Sequence, residues 1–173
     1  MILTRRTVLA AGAVLITVPA IACSAQPAGD DRRQAASGTV GQTRALAMTI
    51  HRNPGCACCD TWAALATKAG YAVSIADDPA IADRKRKLGV PDDLWSCHTA
   101  EVGGVILEGH VPLESLARLL GNRDHQIVGL AVAGMPLGSP GMEANGTVEP
   151  YDVVAFGRDR MRRVFARYPP APA

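Results

Sequence analysis

The sequence has few aromatic residues and almost no net charge. Phe, Trp and Tyr make up 4% of its 173 residues, and 18 basic against 16 acidic side chains leave a formal charge of +2. Nucleic-acid binding normally requires a basic patch or stripe. The two short basic stretches, residues 84–87 and 158–163, are more typical of solvated faces. The sequence therefore predicts no nucleic-acid partner, and the lack of a visible internal repeat argues against a repeat architecture.

A hydrophobic run long enough to cross a bilayer comfortably is also missing. The apolar run at residues 8–21 is too short for that, and it follows Arg5 and Arg6. It ends in a segment, residues 20–22, that resembles a small-x-small cleavage site. The paired arginines resemble a twin-arginine export signal, which we prefer to an ordinary secretory signal that happens to hold two arginines. Residues 1–22 are therefore expected to direct the protein to the periplasm.

Cys23 directly follows this segment, and two interpretations of it stay open. It is either a lipidated cysteine, which would attach the protein to a membrane, or it lies close to a cleavage site near Ala22 or Ala25 and is incidental or removed. In both cases we keep Cys23 out of the chemical site.

The chain then divides by composition. Residues 23–45 consist mostly of small and polar side chains that cannot bury a face, which predicts a flexible tether. Residues 46–168 predict one domain, whose C-terminal extension is residues 124–168, and residues 169–173 are expected to be a tail.

Strand and helix patterns alternate within this domain. A cysteine pair at the junction of the first strand and the first helix is the thioredoxin layout. Alternating strands and helices indicate a partly parallel sheet covered by helices, so the expected fold is α/β, a thioredoxin-like sheet with flanking helices. The extension is expected to pack back onto the sheet and to end in a β-hairpin. The predicted elements are a strand at 47–51, a helix at 56–69, a strand at 71–75, a helix at 78–88, a hairpin at 102–107, a helix at 112–120 and a final hairpin at 151–165.

Three cysteines lie in one loop before the first helix. The N-terminus of a helix offers free N–H groups and a positive dipole end, which favour thiolates at Cys56, Cys58 and Cys59. Cys56 and Cys59 share a helix face and have the spacing of a redox pair, whereas Cys58 is an extra sulfur. A dithiol redox enzyme does not need a third sulfur, but a metal site does. Structural disulfides, which suit an oxidising compartment, are the alternative.

Cys97 and His98 are the next candidate ligands. Neighbouring residues on a regular strand point to opposite faces, so both reach one site only from an irregular segment, which residues 95–96 allow. Thioredoxins carry a proline opposite the cysteine pair. Here no proline occurs between Pro91 and Pro112, so the Cys-His pair is expected to occupy that space. His110 lies between the hairpin and the third helix. Taken singly, His98 could equally be a surface histidine or one that supports a ligand, whereas His110 is more typical of a capping or surface histidine.

Two methionines lie in the glycine- and proline-rich stretch at residues 134–146. Methionine usually fills cores, but Met135 and Met142 stand in a turn-rich loop without a core-forming pattern. Thioethers near thiolates are soft ligands that select monovalent copper. His51 and His125 stand apart from these groups, and we interpret them as structural or exposed.

Several motifs occur in a fixed order along residues 48–165. They are Pro54-Gly55-Cys56-Ala57-Cys58-Cys59, Trp62, Ser96-Cys97-His98-Thr99, Glu108-Gly109-His110-Val111-Pro112, Gly134-Met135-Pro136, Gly138-Ser139-Pro140-Gly141-Met142-Glu143 and Tyr151-Asp152-Val153. This set resembles the CopG-type copper-resistance proteins of Gram-negative bacteria, a CxCC family long classed as a metal-binding domain of unknown function. The resemblance implies a thioredoxin-like domain whose extension helps to bind metal, a periplasmic location and a role in copper tolerance. It also implies copper beside the CxCC cysteines, with redox interconversion of Cu(I) and Cu(II).

The sequence thus predicts a periplasmic protein that holds Cu(I), in a multinuclear thiolate cluster on our preferred interpretation. Expected partners are copper ions and periplasmic copper-export or copper-chaperone proteins, and an activity as a copper-dependent oxidoreductase stays open. The alternatives are a thiol–disulfide oxidoreductase that uses Cys56 and Cys59, and a structural zinc site with Cys₄ or Cys₃His ligands. The predicted metal ligands are Cys56, Cys58, Cys59, Cys97, His98, His110, Met135 and Met142.

Overall fold

The structure, a computed structural model, describes residues 45–144 and 146–169. The predicted export signal, Cys23, nearly all of the tether and the end of the tail lie outside the described residues. Within the described ranges, no helix has the length and apolar character needed to cross a membrane.

The described residues form seven strands and three α-helices. Two short 3₁₀ turns, Asp92–Leu94 and Arg158–Arg160, interrupt the connections. The elements are β1 (Ala47–Arg52), α1 (Ala57–Lys68), β2 (Ala72–Asp77), α2 (Ile81–Lys87), β3 (His98–Val102), β4 (Val105–Glu108), α3 (Leu113–Gly121), β5 (Ile127–Ala131), β6 (Tyr151–Gly157) and β7 (Arg162–Tyr168).

All seven strands belong to one mixed sheet in the order β2-β1-β3-β4-β5-β6-β7. β1 pairs in parallel with β2 and antiparallel with β3, and β3 and β4 form the predicted hairpin. β4 pairs in parallel with β5, and β6 and β7 form the terminal hairpin. Each parallel pair is joined through a helix, α1 or α3, as parallel connections require. The thioredoxin-like sheet and the extension that ends in a β-hairpin are thereby confirmed.

β5 occupies residues 127–131, for which the sequence pattern predicts no strand. This segment is a short apolar run with four of five residues buried. A run of this kind carries neither the alternation of a half-buried strand nor the length of a helix, so periodicity alone cannot assign it. β5 joins the extension to the thioredoxin-like strands, which is why the extension continues the sheet.

The core lies where α1 and α3 pack on the sheet. Met48 and Ile50 of β1 and Trp62 of α1 are fully buried there. Burial of side chains of this size contributes about 1.5–3 kcal/mol each. The neighbouring buried residues are Ala63, Ala66, Ala100, Val102, Val105, Leu107, Val111, Leu116, Leu119, Ile127, Leu130, Val132, Val153 and Ala155.

The basic stretch at residues 84–87 is not wholly a solvated face, which corrects the sequence interpretation. Lys85 is only 3% exposed, and its Nζ lies 2.5 Å from Oε1 of Glu108 and 2.9 Å from Oγ1 of Thr99. Lys85 follows the buried Ile81 by four residues, which places both on the inward face of α2. A buried ammonium group is tolerated there because a buried carboxylate balances its charge.

Candidate metal centre

The cysteine loop lies at the N-terminus of α1. Cys56 occupies the N-cap position, and Cys56 and Cys59 are joined by a disulfide. Cys58 is a free, partly exposed thiol whose Sγ lies 3.5 Å from Sγ of Cys56. The pair with redox spacing is therefore the bonded pair, and the extra sulfur lies against it.

Arg52, at the end of β1, fixes this loop to the sheet. Its Nη1 donates to the carbonyl oxygen of Cys56 at 2.9 Å and lies 2.6 Å from Oδ1 of Asp60 on α1. Its Nε donates to Oδ1 of Asp77 at the end of β2 at 2.9 Å. One guanidinium group thus connects the cysteine loop to two strands and a helix.

Cys97 is the sulfur that joins the two halves of the centre. Its Sγ lies 3.8 Å from Sγ of Cys58 and 3.7 Å from Sγ of Cys59. The same atom lies 3.3 Å from Nδ1 of His98 and 3.1 Å from Nε2 of His110. Two donor groups therefore share Cys97, each with its ligand atoms within 4.8 Å of one another: Cys56, Cys58, Cys59 and Cys97, and Cys97, His98 and His110.

Cys97 and His98 reach the same site because β3 begins only at His98. Cys97 belongs to the irregular segment before the strand, so the alternation of a regular strand does not separate the two side chains. This is the irregular segment through which the sequence predicts that both side chains can reach one site.

The hydrogen bonds of His110 indicate which ring nitrogen is free for a metal ion. Nδ1 lies 2.8 Å from the carbonyl oxygen of Pro140, which can only accept, so Nδ1 carries the proton. Nε2 then presents its lone pair toward Sγ of Cys97. A backbone carbonyl that orients a histidine in this way is a common outer-shell arrangement at metal sites.

His98 is fully buried between two rings. The ring of Trp62 lies 4.8 Å from it, centroid to centroid, and the ring of His110 lies edge-on at 5.1 Å. Trp62 is itself held by a hydrogen bond of 3.0 Å from Nε1 to the carbonyl oxygen of Val111. Nδ1 of His98 faces Sγ of Cys97 at 3.3 Å. Nε2 of His98 is buried and has no hydrogen-bond partner among the described residues.

Burial favours the neutral forms of His98, His110 and Cys97. It lowers the pKa of His98 to about 3, with smaller contributions from His110 and Lys85, and it lowers the pKa of His110. Burial, assisted by Cys58, raises the pKa of the Cys97 thiol to about 12. Neutral imidazoles have free lone pairs, which is the form that binds metal ions.

The extension covers the centre with the loop at residues 134–144. The backbone nitrogen of Gly134 donates to the carbonyl oxygen of Trp95 at 3.2 Å. The carbonyl oxygen of Pro140 accepts from Nδ1 of His110. Gly141 approaches so closely that a Cβ there would lie 3.0 Å from the backbone nitrogen of Trp62, and its φ is +86°. A side chain at position 141 would therefore be strained, which favours glycine at this contact.

The two methionines flank the anchor points of this loop. Met135 follows Gly134 and is 52% exposed, and Met142 follows Gly141 and is partly buried. Both residues are thus adjacent in sequence to glycines that contact the rest of the domain. Their role as ligands stays a prediction.

The remaining histidines are not part of the centre. His51 is buried on β1, with Nε2 3.1 Å from Oε1 of Glu101, and His125 is exposed. Glu108 is fully buried beside Ser96, a position for which the sequence pattern predicts no role. A carboxylate that ends the otherwise apolar strand VILE was the signal that could have identified it.

Comparison with known proteins gives one family match and two solved structures. Residues 94–142 match the family described as "Protein of unknown function, DUF411". The solved structure entitled "Copper resistance protein copG- Form 2" is 38% identical, with a TM-score of 0.69, covering 72% of this chain and 99% of that one. Form 1 of the same protein is also 38% identical, with a TM-score of 0.68, covering 72% of this chain and 98% of that one. No curated protein sequence matches significantly.

Proposed function

The chain belongs to the CopG family of copper-resistance proteins, and from this premise we propose that it binds Cu(I) as its cargo in copper tolerance. The observation that carries the proposal is the position of Cys97, whose sulfur is common to two groups of candidate ligands. The ligands would be Cys56, Cys58, Cys59 and Cys97 on one side of the centre, and His98 and His110 on the other.

The chemistry of these donors favours copper over zinc. Thiolates and imidazoles together suit either metal, but a structural zinc site closes with four ligands in a tetrahedron. Here four sulfurs and two imidazoles meet around one shared sulfur, which exceeds the needs of one tetrahedral ion. The soft thioethers of Met135 and Met142 lie in the loop that covers the centre and would extend a Cu(I) site.

The oxidation state of the cysteines would control how many ligands are available. The disulfide between Cys56 and Cys59 withholds two thiolates, which are available only in the dithiol form. Oxidation of this dithiol to the disulfide would release two protons and pass two electrons to two Cu(II) ions, which become two Cu(I) ions. The pair could thereby interconvert the two copper states, as a copper-dependent oxidoreductase would.

The location and partners of the protein belong to the same proposal. Export by a twin-arginine signal in residues 1–22 would place a single domain, residues 46–168, in the periplasm behind a tether, with a lipid anchor if Cys23 is acylated. Copper bound there would be exchanged with copper-export or copper-chaperone proteins.

A thiol–disulfide oxidoreductase is the second candidate function, and the disulfide at the N-terminus of α1 is the observation that favours it. Against it stand Cys58 and Cys97, two further thiols within contact distance of the bonded pair. A dithiol enzyme has no use for these two sulfurs or for the two buried histidines beside them.

Anaerobic titration of the reduced protein tests the proposal. We expect more than one Cu(I) per chain, because thiolates readily bridge metal ions and Cys97 is shared between two groups. The measurement is titration against a chelator that competes for Cu(I), together with metal analysis of anaerobically purified protein. Bound zinc, or no bound metal, would contradict the copper proposal, and a sharp endpoint at one Cu(I) per chain would reject the cluster.

The double substitution Met135→Leu, Met142→Leu is expected to weaken Cu(I) binding without unfolding the protein. Leucine is close to methionine in volume, so the exchange should cost less than about 1.5 kcal/mol of stability while it removes both sulfur donors. The measurements are Cu(I) affinity and thermal melting.

Met161→Leu is the matched control for the methionine pair. It makes the same exchange at a partly buried methionine that packs on the core in the turn between β6 and β7. Its Cu(I) affinity should equal that of the unsubstituted protein. Unchanged Cu(I) affinity in the folded double variant would remove both methionines from the ligand set.

A further inference from the structure

Glu108 lies at the centre of a buried polar network next to the candidate metal centre. It is the last residue of β4 and is fully buried. Its Oε1 accepts from Nζ of Lys85 at 2.5 Å and from the backbone nitrogen of Ser96 at 2.6 Å. Its Oε2 accepts from Oγ1 of Thr99 at 2.6 Å. Oγ1 of Thr99 in turn accepts from Nζ of Lys85 at 2.9 Å. One carboxylate thus ties α2 and β3 to the segment that precedes β3.

This network acts on both sides of the metal centre. Ser96 immediately precedes Cys97, and Glu108 precedes His110 by two residues. Between them, Gly109 passes Ser96 so closely that a Cβ there would lie 2.5 Å from Cβ of Ser96, and its φ of +72° also favours glycine. The hydrogen bond from the backbone nitrogen of Ser96 to Glu108 therefore holds the segment that carries Cys97 against the segment that carries His110. Sγ of Cys97 and Nε2 of His110 lie 3.1 Å apart.

Stability alone does not explain the buried ion pair between Lys85 and Glu108. Replacing a buried ion pair with apolar residues of similar volume is often neutral or stabilising. Lys85 and Glu108 are 3% and 0% exposed, so their desolvation cost is close to complete. A group retained at this cost, and bonded to the segment that carries Cys97, is better explained by what it positions.

We propose that Glu108, with its charge balanced by Lys85, is a positioning residue for the copper centre. Its carboxylate holds the backbone N–H of Ser96 so that the sulfur of Cys97 stays between the CxCC thiols and the two histidines. This inference rests on the proposed function for its copper part, while the positioning of Cys97 can be measured without metal.

Two double variants separate positioning from charge. Lys85→Met/Glu108→Leu removes both charges and the acceptor for Ser96, whereas Lys85→Met/Glu108→Gln removes both charges and keeps an amide oxygen as acceptor. Neither leaves an unpaired buried charge, which is the usual cause of unfolding when one partner alone is removed. We expect the leucine variant to bind Cu(I) about 10- to 100-fold more weakly, the range for loss of an outer-shell partner, and the glutamine variant to bind as the unsubstituted protein does.

The metal-free readout is the alkylation rate of Cys97, followed by peptide mapping of the reduced protein. The leucine variant should react several-fold faster than the glutamine variant at equal thermal stability. If the leucine variant does not fold, Ser96→Pro removes the same N–H and leaves the charge pair intact, with Ser96→Ala as the control for the hydroxyl. The proline variant should reproduce the Cu(I) loss and the faster alkylation.

Each outcome decides the inference. The inference would be overturned if the two folded double variants matched the unsubstituted protein in Cu(I) affinity and in the alkylation rate of Cys97. It would also be overturned if both variants lost Cu(I) affinity equally, because the effect would then come from the charges. If the unsubstituted protein binds no Cu(I), the proposed function fails, while the alkylation rates still decide whether Glu108 positions Cys97.

Discussion

The substitution Cys97→Ser is expected to lower Cu(I) affinity more than about 100-fold, beyond the range typical of outer-shell changes. Sγ of Cys97 lies within 3.8 Å of two CxCC sulfurs and within 3.3 Å of two imidazole nitrogens, so its loss affects both candidate ligand groups at once. A serine hydroxyl is a harder donor that does not bridge Cu(I) ions as a thiolate does. The number of Cu(I) ions bound per chain should also fall, which anaerobic titration measures.

The metal-free fold should tolerate this change. Cys97 is only partly buried, and a hydroxyl group at its place can donate to Nε2 of His110 as the thiol does. Thermal melting of the metal-free protein should therefore change little. Cys23→Ser in the full-length chain, neither cleaved nor acylated, is the matched control, since it exchanges the same atoms at a cysteine that we keep out of the site. If Cys97→Ser binds Cu(I) as fully as the unsubstituted protein does, the sulfur of Cys97 is not a Cu(I) ligand.

The fold was largely predictable because its signals are local. Glycine and proline mark the ends of most elements, and the apolar residues of α1 and α3 recur with helical spacing. β5 was missed because five apolar residues without alternation have no distinctive local pattern. Its assignment depends on its pairing with β4, which is a tertiary property.

The grouping of the candidate ligands was predictable for a different reason. Cys56, Cys58 and Cys59 are close in sequence, so the local geometry at the start of α1 brings them together. Cys97 and His98 required the further inference of an irregular segment before β3, and the structure has one. The structure adds that both groups share one sulfur, a distance relation that spacing along the chain does not contain.

The polar support of the centre was the least predictable part. Lys85 lies in a run of four basic residues whose composition is typical of a solvated face, and only its packing against β3 shows that it is buried. Pro140 acts through its carbonyl oxygen, which every residue possesses, so its bond to His110 leaves no trace in the sequence. Outer-shell contacts of this kind depend on the tertiary arrangement of backbone groups.

The comparison of Cys58→Ser with Cys59→Ser distinguishes a copper site from a dithiol enzyme. Cys58 is free, and its sulfur lies 3.5 Å from Sγ of Cys56 and 3.8 Å from Sγ of Cys97, so as a ligand it would bridge the loop to the second group. Serine at position 58 removes this sulfur and leaves the disulfide between Cys56 and Cys59 able to form. We expect Cu(I) affinity to fall at least about tenfold, equivalent to about 1.4 kcal/mol.

Measured together, Cu(I) affinity and insulin disulfide reduction separate the two functions in these variants. In Cys58→Ser, copper binding should fall while any reductase activity persists, because the Cys56–Cys59 pair is intact. In Cys59→Ser, both should be lost, because the fully buried Cys59 belongs to the disulfide and also contacts Cys97. If Cys58→Ser retains full Cu(I) binding, the three-thiolate loop is not the copper site, and the third sulfur that set this sequence apart from a dithiol enzyme has no role in binding.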